Sequence, residues 1–300
     1  MNIAIIGYGS IGKRHEKNCL SLGHIVDVLS RHEGRKLKKS YYDLFIICSK
    51  TSEHLFDVKK FKNLSNNFLV EKPLAVNYKE ALSIKKLLSG KKVRVGYCLI
   101  FNPIIQKVKE IVEKKNLGDI YFAQIYAGSY MPNWHADEDY RMRYSAKKDE
   151  GGGVALDLIH EINFSQYFFG DKILDITSYQ AKFSNLQITS NDIAHFDMLQ
   201  KSRLLTITLN YFQFSPERYI KMIGQKGILF ADLINKRIEI IDKKGRKVKN
   251  WQFDFDYNQM YIDEINSIER YIKAEEPQMS ILSMDQGIKD LKIVVSHSSS

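Results

Sequence analysis

The sequence predicts an α/β plus α+β protein: a doubly wound parallel sheet at the N-terminus, then a domain built on a mainly antiparallel sheet. Three observations predict this. The first third alternates near-continuous apolar runs with amphipathic helical stretches, as strands buried on both faces require. A glycine cluster follows the first of those runs. Beyond residue 118 strand patterns dominate, and one strong helix interrupts them. Three hundred residues suit two domains with separate cores. The reading places them at 1–118 and 119–300, with a C-terminal helix that can return to the first domain.

The elements follow in order. Residues 2–6 form a short apolar strand, and Ile11, His15, Cys19 and Leu22 then recur at helical spacing until Gly23. Further apolar runs lie at 25–29, 44–48, 68–70 and 93–95. Asn77 with Glu80 reads as a capping box, Ala81, Ile84, Leu87 and Leu88 make an apolar stripe, and Gly90 stops it. Asn102-Pro103 opens a helix for which Gly118 is the expected cap. Strands are then expected at 120–126, 173–183, 193–199, 204–214, 219–223 and 237–241, with one helix at 154–169. Two more helices are expected near 259–273 and 285–297.

Composition narrows the function. The formal charge of +10 suits an anionic small partner or a spread of solvated lysines. No arginine-rich run, zinc-finger spacing or RNA-binding aromatic motif occurs, so nucleic acid is not expected. No stretch approaches the roughly 20 apolar residues of a membrane span. Cys19, Cys48 and Cys98 are odd in number and scattered, which suits a reducing compartment; a cytoplasmic protein is expected. No His, Cys and carboxylate set has persuasive ligand spacing, so no metal is expected.

Gly7-Tyr8-Gly9-Ser10-Ile11-Gly12 is a GxGxxG sequence between a predicted strand and a predicted helix. Gly7 permits the tight turn, Gly9 the approach of a pyrophosphate, and Gly12 close packing of helix on strand. The helix start offers free N–H groups to phosphate. This is the Rossmann dinucleotide arrangement. The second strand ends at Ser30-Arg31, with Asp27 in mid-strand. A hydroxyl and a guanidinium suit a ribose 2′-phosphate, so NADP is expected in preference to NAD.

Three more segments are informative: Cys48-Ser49-Lys50-Thr51-Ser52-Glu53-His54 after the third strand, Glu71-Lys72-Pro73 after the fourth, and Gly151-Gly152-Gly153 leading to Asp157 and His160. In this order they resemble the glucose–fructose oxidoreductase and inositol dehydrogenase family. The resemblance implies a site in a cleft between two domains and NAD(P)-dependent redox at a hydroxyl or keto carbon of a sugar, inositol or sugar nucleotide. It implies Lys72 as the active-site lysine, with Asp157 and His160 facing substrate. Cys48, Ser49, Lys50, His54, Glu71 and Lys72 join the glycine loop as expected cofactor contacts. The sequence departs from the family pattern in three places. Asp157 and His160 are three apart rather than four, Lys50 replaces a common proline, and Tyr97-Cys98 replaces a pair with asparagine second.

Trp134, His135, Arg141 and Tyr144 lie in an aromatic and basic loop able to stack on a sugar and pair with an anion. With Tyr97 they complete the expected substrate contacts. Asp157 and Glu161 are like charges at i,i+4 on an apolar helix, which calls for a nearby cation or a carboxylate that keeps its proton; Lys72 is the cation that the resemblance implies. Apolar residues 204, 205, 207 and 209 suggest a sheet apolar on both faces, hence a homodimer or homotetramer. Two alternatives stay open: a dehydrogenase of an inositol or other non-sugar small molecule, and a non-catalytic dinucleotide-binding sensor.

Overall fold

The computed structural model describes residues 1–30, 34, 36–134, 138–170 and 172–296. The chain divides into two compact units, Met1–Phe101 with Tyr257–Val295, and Asn102–Asp256 with Ser296–Ser300. The helix expected before Gly118 therefore groups with the second unit, and the chain returns to the first at Tyr257.

The first unit holds β1 (Asn2–Ile6), α1 (Ser10–Ser21), β2 (Ile25–Leu29), β3 (Leu44–Ile47), α2 (His54–Phe61), β4 (Asn67–Glu71), α3 (Tyr78–Leu87) and β5 (Lys92–Gly96). Its sheet runs β2-β1-β3-β4-β5, every pair parallel. Alternation along each strand sorts the apolar residues between two helix layers. Ile3, Ile5, Leu44, Ile46 and Leu69 pack against Cys19 of α1 and against Ile265 and Ile268 of α7 (Gln259–Ile272). On the opposite face Phe45 stacks near Phe61 of α2 at 5.9 Å and lies 5.7 Å from Phe68. The Asn77 cap forms as expected, its side chain accepting from Glu80 N at 2.9 Å. The last helix, α8, is Met284–Ser296.

The second unit begins with α4 (Pro103–Glu113), capped by Asn102. Gly118 is not its cap: the helix ends at Glu113, and Gly118 turns the chain at φ +68° further on. There follow β6 (Ile120–Tyr130), α5 (Val154–Asp157), α6 (Ile159–Phe169), β7 (Ile173–Ala181), β8 (Ile193–Gln200), β9 (Arg203–Asn210), β10 (Phe212–Gly224), β11 (Gly227–Asp232), β12 (Arg237–Asp242) and β13 (Lys247–Gln252). The sheet has eight strands in the order β13-β12-β11-β10-β6-β9-β8-β7. Only β6 and β9 pair in parallel; the remaining pairs are antiparallel.

Four expectations change here. The stretch 204–214 is two strands that meet at Tyr211, and 219–223 is the far half of β10. β11 and β13 are additional strands; β13 is a mostly exposed, lysine-bearing edge, a composition that guards edges but hides strand periodicity. The helix at 154–169 breaks at Leu158 (φ −99°, ψ 34°) into α5 and α6. Finally, β9 is not apolar on both faces. Leu205, Ile207 and Leu209 are fully buried with Phe196 and Met198 of β8, whereas Leu204 alternates to the opposite face beside Thr206 and Thr208. That opposite face is a mixed ladder in which Tyr126 stacks on Tyr219 at 5.1 Å and His195 Nδ1 meets Thr208 Oγ1 at 2.9 Å.

Candidate active site

In the first unit β1 delivers the chain to Gly7, at φ +91°. A Cβ there would stand 2.5 Å from Ser49 N and 2.7 Å from the Cys48 carbonyl, so glycine lets the loop after β3 close on the turn. A Cβ on Gly12 would fall 2.2 Å from the Gly7 oxygen. Gly9 differs, because a Cβ there would meet nothing within 4 Å. Behind it Ser10 and Ile11 start α1 with no side-chain cap and no acid in the first turn. Uncapped N–H groups beside an open glycine fit the diphosphate of a dinucleotide. Tyr8 donates its hydroxyl to Glu16, and Lys13 Nζ lies 5.3 Å over its ring.

Asp27 is committed elsewhere. Its Oδ2 accepts from Tyr42 Oη at 2.6 Å and Lys38 N at 3.2 Å, so it serves the fold in the middle of β2. Ser30 follows it and is buried; Arg31 lies outside the described residues.

The Glu-Lys-Pro turn grows from β4. Glu71 Oε1 meets His15 Nε2 at 2.8 Å, and Glu71 Oε2 accepts from Lys72 N at 3.2 Å. Gly96 on β5 makes room for that carboxylate, since a Cβ would come within 2.9 Å of Oε2. His54 is buried, with Nδ1 3.2 Å from the Leu74 carbonyl and Nε2 3.1 Å from that of Ser49. Burial lowers its pKa while the two carbonyls oppose that shift, and the ring braces the Ser49 loop. Lys50 is exposed at the start of that loop. Tyr97 is fully buried, and its phenol is raised well above the usual range by burial and by Asp290 of α8.

In the second unit the three glycines build a crossing. Gly151 (φ +83°) and Gly153 (φ +130°) take left-handed or strained backbone. A Cβ on Gly152 would lie 2.2 Å from the Tyr144 oxygen and 2.6 Å from that of Ser145. Only glycine lets residues 144–147 run this close to the start of α5. The consequence falls on Asp157. It accepts from Tyr144 Oη at 2.6 Å, Ser145 Oγ at 3.1 Å and Tyr211 Oη at 3.2 Å. Burial first, then Asp157 itself, holds both phenols well above their ordinary range, so they act as donors. His160 follows one turn on, 6% exposed.

The cation for Glu161 is Arg218 of β10. Its Nε and Nη2 reach Glu161 Oε1 at 2.7 and 2.5 Å. Inside this unit, a strand arginine thus serves Glu161 and three hydroxyls serve Asp157. Trp134 donates to Ser129 Oγ at 2.7 Å and packs edge-on to Tyr211 at 5.1 Å. Arg141 is clamped by Asp139, with Nη2 2.6 Å from Oδ2, and donates to Gln187. His135 lies outside the described residues.

Residues 105–230 match the family model described as the GFO/IDH/MocA C-terminal domain. The second unit thus carries a Gfo/Idh/MocA C-terminal domain. An uncharacterized oxidoreductase, YrbE, of Bacillus subtilis is 24% identical over 259 residues, covering 76% of this chain and 72% of that one. Among solved structures, UDP-N-acetylglucosamine 3-dehydrogenase GnnA of Acidithiobacillus ferrooxidans aligns with TM-score 0.78 at 15% identity, over 99% of this chain and 96% of that one. The WlbA dehydrogenase of Bordetella pertussis, solved with NADH and UDP-GlcNAcA, aligns with TM-score 0.77 at 16% identity, over 98% and 94%. The two structural likenesses establish the fold.

Within this domain, sequence reading did not find Ser145, Tyr211 or Arg218. Tyr211 sits at the junction hidden inside one supposed strand, and Arg218 lies midway along β10. The alternation along β10 offered a signal: Arg218 shares the inward side with Ile220 and Met222, where a cation needs a buried partner. Also unforeseen is a grouping of His15, Glu71 and Glu264, whose ligand-type atoms all lie within 4.8 Å of one another.

Proposed function

We propose that this protein transfers a hydride between a nicotinamide dinucleotide and a hydroxyl or keto carbon of a sugar or sugar nucleotide. The observation that carries the reading is Asp157, fixed by three hydroxyl donors three residues before His160, in a domain of this family. The sugar-nucleotide names of GnnA and WlbA, and NADH in the latter, support the substrate and cofactor class. A nicotinamide supplies the hydride chemistry when bound; the rest falls to this chain.

Gly7, Gly9 and Gly12, with the uncapped start of α1, hold the diphosphate. A hydroxyl yields hydride readily only as its proton leaves, so the reaction needs a base and a positive group for the alkoxide. Asp157 already accepts three hydrogen bonds, which suits it to binding and orienting substrate rather than moving protons. His160 takes the proton exchange. Lys72 carries the positive charge that stabilises the alkoxide. Trp134, Tyr144 and Arg141 contribute to substrate recognition. Ser30 and Arg31 favour NADP over NAD, a preference that the commitment of Asp27 to Tyr42 supports.

The mixed sheet face around Tyr126, Tyr219 and Leu204 is covered by a second copy, in a homodimer or homotetramer. The test of the reaction is a screen of sugars, inositols and sugar nucleotides with NAD and NADP, followed by nicotinamide absorbance. Turnover of an inositol alone would replace the substrate class. Cofactor binding without turnover of any member would favour a sensor.

A further inference from the structure

Glu264 of α7 is 1% exposed, and neither of its carboxylate oxygens has a hydrogen-bond partner. It lies in the grouping with His15 of α1 and Glu71 of β4, both buried. The charged and titratable groups around it come from several elements. Glu71 and Arg94 of β5 act on it directly. Cys48 after β3 and Cys98 after β5 feel both carboxylates, and Cys98 also feels Lys72 and meets Tyr261 of α7. Arg94 is the buried cation here, but its Nη1 serves Ser267 Oγ at 2.7 Å, its Nε serves Gln278 at 3.2 Å, and its guanidinium lies 4.9 Å over Tyr271. That guanidinium also faces Glu276, so it is shared between the two carboxylates that act on it, Glu276 and Glu264. Buried carboxylates in such surplus hold a proton or gain a cation.

We propose that Glu264 and Glu71 hold one proton between them, and that this buried acid–carboxylate pair, with His15 against it, positions Lys72. Glu71 carries the connection. Its Oε1 is held by His15, its Oε2 accepts the Lys72 N–H, and Gly96 leaves the space in which the carboxylate lies. The proton rests on Glu264, which burial and the neighbouring Glu71 push toward its neutral form. Glu264 is therefore a positioning residue, and that part rests on the role given to Lys72 above.

The sign of the pH dependence follows. A carboxyl whose folded pKa is raised adds stability that is fully present below its unfolded pKa and is lost as pH rises through the folded value. Glutamine mimics a neutral acid and cannot ionise. Denaturant unfolding of the wild type, Glu264→Gln and Glu264→Ala across pH is the first measurement. Glu264→Gln should match the wild type at acid pH and become the more stable of the two as pH rises, while Glu264→Ala is weaker throughout. Infrared spectra of the wild type should show a protonated-carboxyl carbonyl band that Glu264→Gln removes. If the band is missing and Glu264→Gln is the less stable at every pH, Glu264 is charged and the proposal is overturned. It is equally overturned if the wild type, dialysed against zinc or manganese and desalted, retains one equivalent of metal that Glu264→Gln does not.

For positioning, Glu264→Gln should keep turnover within about twofold and change its pH profile. Glu264→Ala should lose about tenfold to a hundredfold with unchanged affinity for NAD(P). An active Lys72→Ala would remove the reading of Lys72 alone and leave the infrared and stability results standing.

Discussion

Residues 7–12 of the first unit and residues 151–153 of the second are both glycine turns that lead into a helix, yet they differ in what the missing side chains admit. At Gly7 and Gly12 the space is taken by the chain's own backbone, whereas Gly9 is left open. At Gly152 the space is filled by the carbonyls of Tyr144, Ser145 and Lys147. The first turn keeps one position clear for an outside anion. The second pulls a loop of the same unit onto Asp157. A glycine motif therefore reports a close approach, and the partner can be a ligand or the protein itself.

The largest expected effect lies on the Asp157 side. His160→Ala should lose about 10²–10⁴-fold in turnover while NAD(P) binds nearly normally. Asp157→Ala should lose most turnover too, because its substrate contact goes with it. Steady-state rates with calorimetric cofactor binding check both. Wild-type kcat for His160→Ala from about pH 6 to about pH 9 would move proton transfer to another group. Such a result would leave the comparison of the two turns intact but change what the second one builds.

Arg218 comes next. Replacing it with Met leaves Glu161, fully buried, without its cation. Breaking such a pair costs on the order of 3 kcal/mol, at the lower end here because Arg218 is partly exposed. The double variant Arg218→Met with Glu161→Gln should recover much of that loss in denaturant unfolding. If the single variant is as stable as the wild type, the pair is not what balances charge beneath the Asp157 helix.

The nucleotide side carries a smaller effect. Arg31→Ala should weaken NADP by about tenfold to a hundredfold, the worth of one charge-assisted contact of about 1.5–3 kcal/mol, and leave NAD unchanged. Equal dissociation constants for NAD and NADP in the wild type, unmoved by the substitution, would end the assignment.

These predictions divide along the same line as what could be read in advance. The parallel sheet was legible because its strands are apolar runs and its turn is a contiguous motif in which each glycine acts on a near neighbour or a ligand. Asp157 and His160 were legible only as members of a motif. Their chemistry was not, because the donors to Asp157 come from residues 144, 145 and 211, and the cation for Glu161 comes from residue 218. Periodicity reports which face is buried but not which strand crosses which. The break at Leu158 was hidden for a related reason. An all-round apolar segment gives no stripe from which a change of helix axis can be seen. Asp27, set aside as the ribose contact because it lies in mid-strand, holds Tyr42.

The two turns can be set against each other with one pair of substitutions, Gly152→Ala and Gly9→Ala. Gly9 has φ −76° and ψ −167°, extended backbone that alanine adopts freely, and its Cβ meets nothing. Alanine there should leave stability unchanged or raise it by about 0.4–1 kcal/mol, through a less flexible unfolded chain. Its methyl group would still keep a diphosphate from the backbone, so NAD and NADP should bind more weakly. Gly152→Ala places a methyl 2.2 Å from a carbonyl oxygen of the same unit. It should cost about 1–3 kcal/mol of stability. It should also lower turnover by moving Tyr144 and Ser145 off Asp157, with cofactor affinity unchanged. Thermal unfolding and cofactor titration of both variants decide the matter. Were Gly9→Ala to destabilise the protein as much as Gly152→Ala while binding dinucleotide normally, the open position at Gly9 would be a packing feature, and the contrast between the two turns would be lost.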